Sequence, residues 1–128
     1  AMAICAPVIS QVGAVAALGD IHDFTRSHIP ELEARRGMLS EALAAIPALS
    51  WHETSGSLFA FARADSPAKA GELAWDILER AHVLLVPGSA FGREWRDYLR
   101  ISYGSSTRSR FAEALERLRR YFHSSPGG

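Results

Sequence analysis

Apolar residues recur at helical spacing in four stretches of the chain, and three short stretches between them have the period and length of strands. Val8 to Leu18 predicts a first helix. Ile21, Phe24, His28, Leu32, Leu39, Leu43 and Ile46 then define one face of a helical region from Asp20 toward Ile46, with one longer step across Arg35. Gly19 and Asp20 supply a break and a cap, Pro30 predicts a kink or two abutting helices, and Pro47 closes the segment. The turn Ser55-Gly56-Ser57 leads into a strand from Leu58 to Ala62 with Phe59 and Phe61 on one side. Ser66 and Pro67 read as an N-cap and first helical position, and Ala70, Leu73, Ile77 and Ala81 form the face of a helix ending near Arg80. Val83 to Val86 predicts a fully apolar strand stopped by Pro87-Gly88, and a polar loop runs on through Arg96. Tyr98 to Tyr103 predicts the last strand. Ser105-Ser106-Thr107 caps a final helix with the face Phe111, Leu115, Leu118 and Phe122. Its other face mixes Arg108, Arg110, Arg117, Arg119 and Arg120 with Glu113 and Glu116, the pattern of a solvated surface more than of a phosphate site.

The order helix, helix, strand, helix, strand, strand, helix predicts an α+β fold, with helices packed on a small sheet. The 128 residues suffice for one domain with its own core. Fourteen basic and fourteen acidic residues balance to zero, which argues against binding nucleic acid or an anionic membrane through bulk charge. A single cysteine, Cys5, excludes an internal disulfide. Residues 1–19 carry no charge. They lack the basic flank of a signal peptide, and Pro7, Ser10, Gln11, Gly13 and Gly19 interrupt them, so a helix buried against protein fits better than a membrane span. The chain begins at Ala1 instead of Met and enters apolar sequence without a cap, as a piece of a longer protein would.

Candidate chemistry is sparse. The five histidines, His22, His28, His52, His82 and His123, include no pair at helical zinc-site spacing, so no metal site is expected. His28 reads as a hydrogen-bonded, semi-buried side chain, and Cys5 as a small buried filler. Gly88 and Gly92 are not followed by the Lys-Ser/Thr of a phosphate loop, and no nucleophile elbow occurs. Lys69 is the only lysine, hence the only candidate for a Schiff base. Arg100 is the residue to single out. Strand alternation puts Tyr98, Arg100 and Ser102 on one face and Leu99, Ile101 and Tyr103 on the other. Arg100 is then either a wet-face arginine or a planar fork that grips a carboxylate with two parallel hydrogen bonds. Periodicity leaves both open.

VLLVPGSAFG (83–92) followed by YLRIS (98–102) resembles the C-terminal signature of class I/II aminotransferases, fold-type I enzymes that depend on pyridoxal phosphate. CAPVISQ (5–11) resembles that family's linker out of the large domain, SGSLFAFA (55–62) its Gly-Ala-Phe-Tyr strand, and FAEALERLRRYF (111–122) its terminal helix. The resemblance spans nearly the whole chain, in order. It implies that residues 1–19 are a connecting helix from a large domain lying elsewhere, that 20–123 are the small domain, and that 124–128 are a frayed tail. It implies that Arg100 binds the α-carboxylate of an amino-acid or 2-oxo-acid substrate, with Gly56 and Ser57 on the substrate side of the site.

The family's Schiff-base lysine and cofactor-holding groups lie upstream of this region, so no catalytic or cofactor-binding residue transfers here. Lys69 lies outside any Ser-Lys motif, and the loop from Arg93 to Asp97 departs from the family's Gly-rich version, with bulky Trp95 in it. The expectation is a part of a cytoplasmic, homodimeric aminotransferase, inactive by itself and leaving its first helix as an exposed apolar patch. A lyase on the same fold is a near variant. The other readings are the aminotransferase-like ligand-sensing domain of a transcription regulator and a non-catalytic α+β interaction module.

Overall fold

A computed structural model describes residues 5–19 and 21–124. It contains helices α1 (Val8–Gly19), α2 (Ile21–Ala44), α3 (Ala70–Ala81) and α4 (Arg108–Ser124), and strands β1 (Leu49–Ser50), β2 (Phe59–Ala64), β3 (Val86–Pro87) and β4 (Tyr98–Ser102). The class is the α+β expected. The chain divides into two compact units between Glu33 and Ala34, inside α2.

In the first unit no residue of α1 is buried. Val8, Ile9, Val12, Val15 and Leu18 are all exposed, so the helix presents the apolar patch that its composition predicts. Cys5, expected as a buried filler, is exposed, because the helix it precedes buries nothing in this chain. Asp20, the expected cap, lies outside the described residues. Helix α2 runs through Pro30 as one helix instead of two. His28 is hydrogen-bonded as expected but exposed instead of semi-buried. Its Nδ1 lies 2.8 Å from the Phe24 carbonyl oxygen and 2.9 Å from the Ser27 hydroxyl, and its ring stacks on Phe24. The apolar face of α2 is therefore buried only toward its C-terminal end, at Leu39 and Leu43, followed by Ile46 after the helix. No helix among the described residues is long and apolar enough to cross a membrane.

The second unit is built on an antiparallel sheet in the order β1-β2-β4-β3. Strand β2 pairs along its length with β4, Phe61 opposite Arg100 and Phe59 opposite Ser102. Both central strands alternate. Ala60, Ala62, Ala64, Leu99 and Ile101 are buried, while Phe59, Phe61, Arg63, Tyr98, Arg100 and Ser102 point the other way. The small alanines on β2 leave room for the large side chains that complete the core, Leu73 and Ile77 of α3, Phe111, Leu115 and Leu118 of α4, and Leu39, Leu43 and Ile46.

Several elements differ from the sequence reading, among them β2, which runs over Phe59–Ala64 instead of Leu58–Ala62, and β4, which ends at Ser102 instead of Tyr103. Helix α3 starts at Ala70, not at Pro67, because Ser66 Oγ closes a local turn by accepting from the Ala68 amide, and Lys69, in extended backbone, takes the N-cap position. The expected strand over Val83 to Val86 shrinks to Val86–Pro87, since the ladder with β4 holds only Val86 opposite Arg100 and Pro87 opposite Leu99. Pro87 is tolerated there because β3 is an edge strand. The two-residue strand β1 is too short to leave a period in the sequence. The 88–96 loop, expected as irregular, holds two 3₁₀ turns, Gly88–Phe91 and Arg93–Trp95.

The caps of the last two helices follow local chemistry. His82 adopts a left-handed conformation (φ 56°) and donates its amide to the Leu78 carbonyl, ending α3. Thr107 Oγ1 accepts from the Arg110 amide at 3.4 Å and opens α4, as predicted. Ser124, expected in the tail, closes α4, and 125–128 lie outside the described residues. The arginines of α4 are largely matched by glutamates. Arg117 pairs with Glu113, and Arg119 donates twice to Glu116. The Arg119 hydrogen bonds hold the Glu116 carboxyl below its ordinary range. This is the solvated face that the alternating charges predict.

Ile77 has no exposed surface and sits among the sheet alanines and α4. Ile77→Ala is expected to cost roughly 2–5 kcal/mol, the range for emptying a buried aliphatic site. Urea unfolding followed by far-UV circular dichroism measures it. A loss below about 1 kcal/mol would place the core elsewhere.

Candidate functional site

The alternation that buries Leu99 and Ile101 sends Arg100 to the opposite face of the sheet. There it meets aromatic side chains. The guanidinium carbon lies 4.6 Å from the Phe59 ring centroid and 5.1 Å from that of Phe91. Phe59 comes from the neighbouring strand and Phe91 from the end of the first 3₁₀ turn, so the cation is flanked by rings from two elements. Arg100 Nε is buried, and among the described residues no group accepts its hydrogen. A buried donor without an acceptor costs about 1–3 kcal/mol and needs an explanation. An acceptor supplied by a ligand would remove that cost.

More rings extend the wall. Phe61 stacks on Tyr98 with centroids 5.2 Å apart and meets Phe91 and Trp95 edge-on at 5.8 and 5.3 Å. Trp95 in turn meets Tyr98 edge-on at 5.1 Å. Together these side chains and Arg100 line an open groove of about 610 Å³, which Trp51, His52, Thr54 and Ser57 also line.

The Gly88–Trp95 loop can close onto β4 only because two positions are glycine. A Cβ on Gly88 would lie 2.2 Å from the Trp95 carbonyl oxygen and 2.9 Å from Tyr98 Cβ. Gly92 has φ of 142°, which side chains rarely adopt. On the same groove Ser57 holds φ of 85°, unusual for a residue with a Cβ. Two contacts fix it: Tyr103 donates its phenolic hydrogen to the Ser57 carbonyl at 2.6 Å, and Ser57 Oγ accepts from the Phe59 amide.

Of the residues expected at a site, Arg100 and Ser57 line the same groove. Gly56 is exposed beside Ser57, with its carbonyl accepting from Thr54 Oγ1. The sequence reading missed the aromatic wall. Its signal was half present, since Phe59 and Phe61 share one side of β2 and Tyr98 shares the side of Arg100, but the register that joins them is set by tertiary pairing. Lys69 is exposed at the start of α3 and does not line the groove. Among the described residues the groove thus holds one guanidinium with an unmet donor, and no lysine lines it.

Gly88→Ala is expected to destabilise the protein by about 2 kcal/mol or more, because backbone, not a flexible side chain, occupies the space of the new methyl. It should also splay Phe91 and Trp95 away from Arg100, which near-UV circular dichroism of the aromatic bands would register. Wild-type stability with an unchanged near-UV spectrum would contradict the tight closure.

Known proteins share this sequence pattern and fold. The family model for aminotransferase class I and II matches residues 1–118. An aspartate aminotransferase of Rhizobium meliloti is 36% identical over 125 residues, covering 89% of this chain and 30% of that protein. Among solved structures, a pyridoxal-phosphate-dependent aminotransferase from Streptococcus suis superposes with a TM-score of 0.85 over 98% of this chain and 33% of its own, at 22% identity, which speaks to the fold. The aspartate aminotransferase from Rhizobium meliloti gives a TM-score of 0.79 at 30% identity, over 93% of this chain and 32% of its own. The chain spans about three tenths of the length of the curated relatives it matches. With the family model covering almost every residue and the fold shared over nearly the full chain, the chain belongs to the class I and II aminotransferases.

Proposed function

We propose that this chain is the substrate-gripping part of a cytoplasmic, dimeric aminotransferase that moves an amino group between an amino acid and a 2-oxo acid. The observation that carries the reading is the unmet hydrogen-bond donor of Arg100, held between Phe59 and Phe91. Bound pyridoxal phosphate, held by segments outside this chain, would supply the electron sink for the reaction. The work of these residues is orientation. The guanidinium offers parallel N–H donors to both oxygens of the α-carboxylate, which fixes the rotation of the Cα substituents. The flanking rings limit the rotation of the guanidinium, and its Nε is shielded from water, so a hydrogen bond to that donor is stronger than at an open surface. Ser57, whose carbonyl accepts from the Tyr103 hydroxyl, lines the same groove.

The family's chemistry needs an amine to hold the cofactor. With Lys69 outside the groove, the purified 128-residue chain should show no transamination when supplied with pyridoxal phosphate, an amino acid and a 2-oxo acid. A coupled assay for 2-oxo-acid formation tests this, and turnover by the chain alone would overturn the reading. In the whole gene product, Arg100→Gln should lower kcat/KM by roughly 30-fold or more, from the ~2 kcal/mol lower bound for truncating one partner of a desolvated charge pair. An unchanged kcat/KM would remove Arg100 from the substrate site.

A further inference from the structure

We infer that Tyr103 is a positioning residue: its phenol holds the Ser57 turn, and through it Phe59, in the place that sets the Arg100 guanidinium for a carboxylate. The inference rests on the reading of Arg100 as the carboxylate anchor and adds what keeps that anchor in place. It starts from the connection between β1 and β2. Residues 51–58 join Ser50 to Phe59 outside any helix or strand. Hairpin connections are usually roughly two to five residues long, and a longer one keeps a single conformation only where other groups satisfy its backbone. Three sets of contacts do so here. On α2, Arg36 donates to the Thr54 carbonyl at 3.2 Å and lies 3.5 Å from the Glu53 carboxylate, which also accepts from Ser40. Within the connection, Thr54 Oγ1 donates to the Gly56 carbonyl. At its end Tyr103 donates twice, its amide to the Leu58 carbonyl at 3.0 Å and its hydroxyl to the Ser57 carbonyl at 2.6 Å. The two segments are packed so closely that a Cβ on Gly104 would lie 3.0 Å from Leu58 Cβ.

Tyr103 suits this task by its parity. It continues the face of Leu99 and Ile101, so its ring is 2% exposed in the core and has little room to move. Its own carbonyl accepts from Arg35 of α2 at 3.3 Å. The hydroxyl reaches out of the core to a residue whose backbone is in the left-handed region, with φ of 85°. A serine there carries strain that an extended conformation would relieve. Two donors on consecutive carbonyls, those of Ser57 and Leu58, hold it against that relaxation. What they hold is passed on. Ser57 Oγ accepts from the Phe59 amide at 3.1 Å, and the Phe59 ring centroid lies 4.6 Å from the guanidinium carbon of Arg100. Tyr103 thus acts on the guanidinium through Ser57 and Phe59, from the opposite face of the sheet.

The test is Tyr103→Phe, which keeps the ring and the amide bond to Leu58 and deletes the hydroxyl. In the 128-residue chain labelled with ¹⁵N, acetate is titrated while the Arg100 Nε–H resonance, assigned by its loss in Arg100→Lys, is followed. Tyr103→Phe should weaken acetate binding roughly threefold to tenfold, the range that one neutral hydrogen bond carries. It should also move the Arg100 resonance before any acetate is added, because the ring current of Phe59 falls on that group. Ile77→Ala, a core variant on α3, controls for lost stability and should leave acetate affinity within about twofold of wild type. Ser57→Ala cuts the next link, from Ser57 Oγ to the Phe59 amide, and should move the acetate-free Arg100 resonance as well. It decides the matter if Tyr103→Phe does not fold. An acetate-free resonance unmoved by these variants, with the wild type still binding acetate, would overturn the positioning role and leave the anchor standing. Weakening of the same size in Ile77→Ala would assign the effect to stability and would equally overturn it. No acetate response in the wild type would overturn the anchor, and the positioning role with it.

Discussion

The arrangement depends on the two-residue period of β4. Leu99 and Ile101 must face the helices, because the core has no other central aliphatic residues on that strand. A strand that commits those two side chains to the core has no freedom left over Arg100. A slip of one residue would drive the guanidinium into the core and put Leu99 and Ile101 in water, at a cost no local contact could offset. Pairing with β2 then fixes what Arg100 meets, since Phe61 stands opposite it and Phe59, opposite Ser102, lies two pairs further along the ladder on the same face. The geometry of the site is thus a by-product of the same burial that makes the fold.

The remaining elements refine that placement. Edge strand β3 touches β4 through only two residue pairs, at Arg100 and its neighbour Leu99. Gly88 lets the following turn come within reach of β4, and that approach delivers Phe91 and Trp95 to the guanidinium and its wall. The price is a donor left without an acceptor and two rings left open, neither of which stability alone would select. The helices on the other face carry no such strain. Their surface charges pair locally, as between Arg119 and Glu116, and their buried faces fill the space left by the β2 alanines.

Much of this is legible in the amino-acid sequence alone. The helix faces of α3 and α4, the Thr107 cap and the alternation of β4 all follow from residue periods and local hydrogen-bond chemistry. The ordered segments around 83–92 and 98–102 suffice to show the family resemblance and to single out Arg100. What fails to show is what depends on distant parts of the chain. Strand β1 exists only because residues 49 and 50 lie beside 63 and 64. The strand expected over residues 83–86 is shorter because β4 offers it two partners, and Pro67 loses its helical position to a turn closed by Ser66. The aromatic wall is invisible for the same reason, its rings being separated by up to 39 residues, from Phe59 to Tyr98, and joined by register. Cys5 and the N-terminal half of α2 mislead because apolar periodicity says that a face seeks cover, not that this chain supplies it.

The most direct test of the central claim reads the Arg100 donor itself. In ¹⁵N-labelled protein the Arg100 side-chain Nε–H resonance is assigned by its loss in Arg100→Lys, and acetate is then titrated in. The account predicts a saturable downfield shift of that proton with slowed exchange, as a carboxylate takes up the hydrogen bond that the protein leaves unmet. A resonance that stays in place through the titration, or one already hydrogen-bonded to a protein acceptor before acetate is added, would contradict it.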